Sequence, residues 1–393
     1  MKRKQLLAAL CAGVFAVSSM VPWTAQAKED TVKVGLILSM TGAFASTGIQ
    51  IEQGARLFMK QHGDTVAGKK IELVIKDDTG APDQARRVAQ ELVVQDQVDV
   101  LGGFVLTPLA LATAQVSTRS KTPTIVMVAA TSSVINASPY FVRSSFTMPQ
   151  VTIGVAEWAP ANGIKNVATL VSDYGPGIDS EKAFIERFEA NGGTIVESIR
   201  VPLQNPDFAP FLQRVRNQKP DAVFVFLPAG VGTQFMKQFA DRGLAEAGVR
   251  LLATGDVVED DILNGMGDVA LDVVTSHHYS AAHPSELNKK FVQDFKEAYN
   301  GRRPNYMAVA AYDGMKLLYN ALEATGGKTG DELLEAMKGQ KFESPRGPIH
   351  IEADTRDIVQ NVYIRRVERL DDGELYNVEF DVLEQVRDPG QSK

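Results

Sequence analysis

Two threonines stand where a strand gives way to a helix, and both could hold an anion. Thr107 precedes Pro108, and Thr131 precedes Ser132. Threonine is a favoured helix cap, and proline is pre-shaped for the first helical position. A helix start that opens on a cleft presents unpaired N–H groups and positive partial charge, which suits a carboxylate. The plainer reading is that each threonine caps its own helix. Other groupings carry less chemistry. His277, His278 and His283 form the only histidine cluster. They lack the i, i+4 spacing of a helical zinc pair, and Pro284 breaks any helix there. A crossover lining or a surface patch is expected of them, and no metal. Gly175-Pro176-Gly177 precedes a helix, yet Ser180 stands where a dinucleotide loop would carry its third glycine. Neither a complete phosphate-binding loop nor a Gly-x-Ser-x-Gly nucleophile elbow occurs. No cofactor is expected.

The elements that must position these residues alternate short apolar runs with amphipathic stretches, the pattern of an α/β chain with parallel sheets. Val32–Leu38 reads as a strand, followed by a Gly-rich loop over Thr41–Gly48 and a helix over Ile51–His62. Strands follow at Ile71–Lys76, Val98–Gly102 and Thr124–Val128, with helices at Pro82–Gln95 and Pro108–Ser117. A second series opens at Val167–Val171 and runs through Arg250–Ala253. Two such series predict two lobes, with ligand groups on the loops after the strands. Chain crossings are expected near Ser145–Gln150, Ser276–Ser280 and Ile351–Thr355. That divides the chain into residues 28–147 with 278–352, and 148–277 with 353–393.

The N-terminus reads as an export signal. Lys2, Arg3 and Lys4 precede an apolar run from Leu6 to Val21, and Ala25-Gln26-Ala27 offers a small-x-small cleavage site. Cleavage after Ala27 is expected, leaving a periplasmic chain. Cys11 is the one cysteine and departs with that segment, so the mature chain has no thiol for a disulfide or a metal–thiolate site. The formal charge of −7 loses the three positive charges of the leader and becomes −10. An acidic chain without basic runs argues against nucleic acid as a partner. No later segment approaches the ~20 apolar residues of a membrane helix.

At several places the chain resembles a known family. VKVGLILSMTGAFASTG, IEQGARLFM, KDDTGAPDQARRVAQELV, VDVLGGFVLTPLALA, PTIVMVAATSS, SDYGPGIDSEKAF and PNYMAVAAYDGMKLL occur in order over the mature chain. Together they are similar to the branched-chain amino-acid-binding, or leucine-binding, proteins of type I periplasmic binding fold. The resemblance implies two Rossmann-like lobes with parallel sheets joined by three crossover strands. It also implies a monomeric, non-enzymatic receptor that closes on a small carboxylate and delivers it to an inner-membrane ABC permease. A ligand sensor for a signalling partner and an exported enzyme are the competing readings.

The same resemblance carries site residues. Ala129 and Thr131 match the segment that holds the ligand head group, Tyr174 a cleft tyrosine, and Asp256 the acidic residue that faces a ligand amine. The departures are Leu106, where amino-acid binders have serine, with Thr107 as its substitute, and Thr47, where many have an aromatic ring. Phe104, Val105, Phe146 and one or more of His277, His278 and Tyr279 are then expected around the ligand. These changes favour a larger or aromatic acid, whereas Asp256 favours an amino acid, because a buried carboxylate facing no amine is costly unless hydrogen-bonded.

Overall fold

The computed structural model describes residues 31–391; the proposed leader with Cys11 and the cut after Ala27 lie outside them. The first sheet is built from β1 (Thr31–Leu38), β2 (Thr65–Val66), β3 (Lys69–Asp77), β4 (Val100–Gly103), β5 (Thr124–Val126) and β6 (Phe141–Arg143). Its order is β2-β3-β1-β4-β5-β6, parallel except at the β2–β3 hairpin. Nearly every residue of β1, β4, β5 and β6 is buried, because helices cover both faces.

The second sheet holds β7 (Asn166–Ser172), β8 (Thr194–Val201), β9 (Ala222–Phe226), β10 (Arg250–Thr254) and β11 (Val274–His277), all parallel. β12 (Lys341–Ser344), β13 (Gly347–Ile351), β14 (Ile358–Arg369) and β15 (Leu375–Val386) then join antiparallel beyond β11. This flank makes the second sheet mixed, with the parallel part expected from the sequence at β7–β11. Tight turns, one of them at Gly373 with φ 79°, fold β14 back on β15, and a hairpin can only be antiparallel.

The chain passes between lobes three times. Helix Met148–Ala161 takes it from β6 to the second sheet, its start fixed by a reciprocal Thr147–Gln150 capping box. Residues 278–285 take it back to the helices Glu286–Ala298, Tyr306–Thr325 and Asp331–Met337. The third passage is at residues 338–340. The sequence reading placed it at 351–355 and left residues up to 352 with the first lobe. β13 decides otherwise, since Ile349, His350 and Ile351 pair with Gln360, Val359 and Ile358 of β14.

One of the expected elements changes character. The stretch Thr41–Gly48 is a 3-10 turn at Gly42–Phe44 running directly into the helix Ala45–His62, not a loop. Gly48 serves close packing there, because a Cβ would fall 2.2 Å from the Ser39 carbonyl oxygen. Gly54 does the same further along, where a Cβ would lie 2.0 Å from the carbonyl oxygen of Ala308. Helices Ala45–His62 and Tyr306–Thr325 therefore touch backbone to backbone, which binds the returning segment to the first lobe.

Two buried ion pairs pin the junction. Arg346, in the β12–β13 turn, lies 2.8 Å from Asp313 of helix Tyr306–Thr325 and also donates to Ser144 O, Ser145 O and Gln360. Arg143, at the end of β6, lies 2.8 Å from Asp357. Buried pairs of this kind add little net stability, but losing one partner strands the other charge.

Candidate functional site

The cleft begins with a bend after β4. Gly103 has φ 111° and Phe104 has φ 70°, which turns the chain so that Phe104 N–H donates to Ile37 O and Phe104 O accepts from Ala129 N–H. Phe104 itself enters the core and packs on Phe141, with ring centres 6.2 Å apart. It does not line the cleft, contrary to expectation, because the bend sends its neighbours there instead. Val105, Leu106 and Thr107 form the wall.

Leu106 is the cap residue of helix Thr107–Ser120, and Thr107 is its first residue. Thr107 thus does not cap its helix, and Thr131 makes no side-chain cap of the 3-10 helix behind it either. The two hydroxyls face each other instead at 2.9 Å, and Thr131 N–H lies 3.4 Å from Thr107 Oγ1. Behind them the buried Arg143 guanidinium takes the carbonyls of Ala129, Phe146 and Thr131. From the second lobe, helix Gly175–Ala190 points its first residue at the same spot. A Cβ on Gly175 would sit 2.7 Å from Thr131 Oγ1. Only glycine allows that approach, and it brings two helix N-termini, both positive ends, onto one pair of hydroxyls.

The opposite end is aromatic and acidic. Tyr174 stacks on Phe226 at 6.1 Å, and Phe146 meets Tyr306 edge-on at 5.4 Å. Asp256 is only 3% exposed. Its Oδ1 accepts from the Tyr306 hydroxyl at 2.7 Å and its Oδ2 from Thr254 at 2.9 Å, with His277 Nε2 at 3.7 Å. Burial alone would push this carboxyl up; the pairing with His277 in its protonated form and the two hydroxyls outweigh it and hold it below the usual carboxylate range. Burial pushes the His277 imidazole down to about 4, so it is neutral near pH 7.

The cleft walls bring together Thr47, Leu106, Thr107, Ala129, Phe146, Tyr174 and Asp256 from the sequence-derived set, while Thr131 lies behind Thr107 rather than on the wall. Thr47 lies in the first turn of its helix, and its buried hydroxyl has no hydrogen-bond partner among the described residues. His278 does not reach the lining. It stacks behind Phe146 at 4.7 Å, fully buried, because the chain at the second passage turns it inward against that ring. His277 and Tyr279 are likewise buried behind the wall.

Tyr306 is the main residue that the sequence reading passed over, with Phe226 and the Pro228-Ala229 turn. The turn follows β9 as Thr107 follows β4, so the rule of looking after strand ends would have found it. Tyr306 opens a helix capped by Asn305, a start signal legible in PNYMAVAAYDG, but its facing the cleft depends on how the returning segment docks.

Comparison with known proteins gives a consistent result. The family model described as "Periplasmic binding protein" matches residues 31–374. A Leu/Ile/Val-binding protein homolog 6 from Brucella abortus (strain 2308) is 43% identical over 368 residues, 93% of this chain and 94% of the relative. A solute binding protein of an ABC transporter from Rhodopseudomonas palustris BisB5, in complex with 3,4-dihydroxy benzoic acid, is 59% identical. It superposes with a TM-score of 0.91 over 93% of this chain and 100% of that one. Another from Rhodopseudomonas palustris HaA2, in complex with p-hydroxybenzoic acid, is 42% identical with a TM-score of 0.89, over 92% of this chain and 100% of that one. With two lobes, a cleft between them and these relatives over nearly its whole length, the chain belongs to the periplasmic binding protein family, in its Leu/Ile/Val-binding group, and is a non-enzymatic solute-binding protein of an ABC transporter.

Proposed function

We propose that this protein captures a hydroxylated aromatic carboxylate in its cleft and presents the closed form to an inner-membrane permease. The observation that carries this reading is Asp256. A buried carboxylate that already accepts two hydroxyl hydrogen bonds needs no ligand ammonium to remain charged. It repels a ligand carboxylate, so that group belongs at the Thr107–Thr131 end, beside the helix starts. What Asp256 accepts is a further donor, and a phenolic hydroxyl on the ring supplies one. Tyr174, Phe226, Phe146 and Tyr306 suit a flat ring by stacked and edge contacts. The hydroxybenzoates held by the two Rhodopseudomonas relatives are of this class.

Hinge closure excludes water, and a ligand that touches both lobes only when they close shifts the equilibrium towards the closed form. The lobes of this reading are 31–143 with 286–337, and 148–277 with 341–386. The proposal includes export, cleavage after Ala27 and a monomeric mature protein, for which N-terminal sequencing and gel filtration of periplasmic material are the checks.

The leading test is a thermal-shift panel on protein refolded to strip carried-over ligand, with leucine, benzoate, 4-hydroxybenzoate and 3,4-dihydroxybenzoate. At about 100 times its dissociation constant a ligand adds about 2.7 kcal/mol. Stabilisation by the hydroxybenzoates is expected; stabilisation by leucine alone would overturn the reading. Thr107→Val keeps the shape of that residue and removes its hydroxyl. Calorimetry should show roughly ten-fold weaker hydroxybenzoate binding or worse, since hydrogen bonds to charged groups contribute about 1.5–3 kcal/mol. Unchanged affinity would return Thr107 to a purely structural role.

A further inference from the structure

We propose that Asn305 and Glu259 form a latch between the lobes, and that Glu259 takes up a proton as the cleft closes. The inference rests on the reading that closure captures the ligand, but not on which ligand that is.

The loop after β10 carries Glu259, Asp260 and Asp261 in succession, three residues beyond Asp256. It belongs to the second lobe. Facing it is Asn305, the cap of first-lobe helix Tyr306–Thr325. The cap fixes which way the amide points, because Asn305 Oδ1 accepts from Met307 N–H at 3.0 Å and from Ala308 N–H at 3.3 Å. Its NH2 group must therefore face outward. It donates across the cleft to Glu259 Oε2 and Asp261 Oδ1, each at 3.0 Å. Gln50 steadies the arrangement, accepting from Asn305 N–H and donating to Arg303 O.

The three acids do not share one environment. Asp260 has Arg365 and Arg303 near it, and it accepts from Asn377 and from Ala281 N–H. Asp261 has Asn305 and Gln50 as donors. Glu259 is 5% exposed and has no cation against it among the described residues. Its charged neighbours are Asp261, Asp256 and Asp260; it also faces the Tyr306 phenol and Gly230 N–H, and its buried Oε1 has no hydrogen-bond partner among the described residues. Burial first, and then those three carboxylates, hold its carboxyl well above the ordinary range.

The three carboxylates share the second-lobe loop with Glu259 in either form, so what closure adds is the burial supplied by first-lobe Asn305 and Tyr306, and with it a higher pKa. An acid whose pKa is higher in the closed form binds a proton on closing. Closure is then favoured as pH falls through the closed-form value towards the ordinary glutamate pKa of about 4.3. His277 opposes this only below its usual pKa of about 6.5, so the window to examine is pH 6.5–8.0. Opening also parts Asn305 from Glu259, so the latch and the proton act together.

The experiment is isothermal calorimetry with 3,4-dihydroxybenzoate at pH 7 in buffers of differing ionisation enthalpy, with dissociation constants measured from pH 6.5 to 8.0. The expected result is net proton uptake on binding and an affinity that falls several-fold across the window. Glu259→Gln, which imitates the protonated form, should abolish both and bind at pH 8.0 as tightly as the unaltered protein does at pH 6.5. Tight binding without proton uptake, or a Glu259→Gln variant with the same pH slope, overturns the latch and leaves the ligand assignment intact. A general packing defect would lower affinity without changing proton stoichiometry, and the unaltered protein's own uptake needs no variant. If 3,4-dihydroxybenzoate does not bind, the ligand reading fails instead. The latch is then read from small-angle scattering of the ligand-free protein, which should become more compact from pH 8.0 to 6.5; an unchanged radius overturns it.

Discussion

Asp256→Asn is expected to weaken 3,4-dihydroxybenzoate binding by ~10- to 150-fold while leaving benzoate binding almost unchanged. The figure corresponds to the roughly 1.5–3 kcal/mol carried by a hydrogen bond to a charged group. The carboxylate lies on the cleft wall with Tyr306 and Thr254 already donating to it, and a ring hydroxyl adds a third donor. Asparagine keeps the size but removes the charge, and its amide NH2 turns part of the acceptor into a donor. Benzoate has no hydroxyl to lose. It also meets less repulsion, so a modest gain in its affinity fits the same account. Calorimetry with both acids on both proteins decides the matter. An equal loss for the two ligands would mean that Asp256 shapes the wall rather than reads the hydroxyl. Leucine bound by the unaltered protein and lost in the variant would restore the amine-facing role seen in the family resemblance.

Arg143→Met should cost about 3–5 kcal/mol of folding stability, the range for stranding one member of a buried ion pair. The side chain of Arg143 is fully buried and that of its partner Asp357 nearly so. Removing the guanidinium leaves Asp357 without its counter-charge, takes the donor from the carbonyls of Ala129 and Phe146, and leaves Thr131 O with Val134 N–H alone. Burial already pushes Asp357 up, so in the variant it should protonate more readily. Urea unfolding measures the loss directly. The double variant Arg143→Met with Asp357→Asn should recover part of it, because the stranded charge is gone. Equal instability of single and double variants would show that the carbonyl bonds matter more than the pair. Ligand affinity should fall as well, since those carbonyls belong to the loop that sets Thr131 against Thr107.

Asp256 and Arg143 differ in how far the sequence foretold them. Asp256 was legible through the family resemblance, which matches it to an acidic residue that faces the ligand. Arg143 lies on β6, a three-residue strand too short to show any periodicity, and its partner is 214 positions away. Thr107 falls between the two cases. Thr-Pro at a strand end promised a helix start able to hold an anion, with a plain cap as the competing reading. The hydroxyl instead meets Thr131, which depends on two loops from neighbouring strands lying side by side. Phe104 and His278 show the same limit from the other direction. Phe104 adjoins the lining residue Val105 and His278 stacks on the lining residue Phe146, yet a left-handed backbone at Phe104 and an inward turn at the second passage send both to the core.

The sequence by itself determined the alternation of elements, most of the strand and helix positions, the two-lobed α/β class and the loops where a ligand must sit. Those follow from local patterns of apolar residues, prolines and glycines, which act over one or two turns of chain. Tertiary structure alone decided which residues at those loops face the cleft, where the third passage runs, and why Gly175 must be glycine. It also decided that the Tyr306 hydroxyl meets Asp256, and that Asn305 reaches Glu259 across the lobes. Each of these depends on segments far apart in sequence meeting within about 3 Å, and hydrogen-bond geometry at that range is not written in any local pattern.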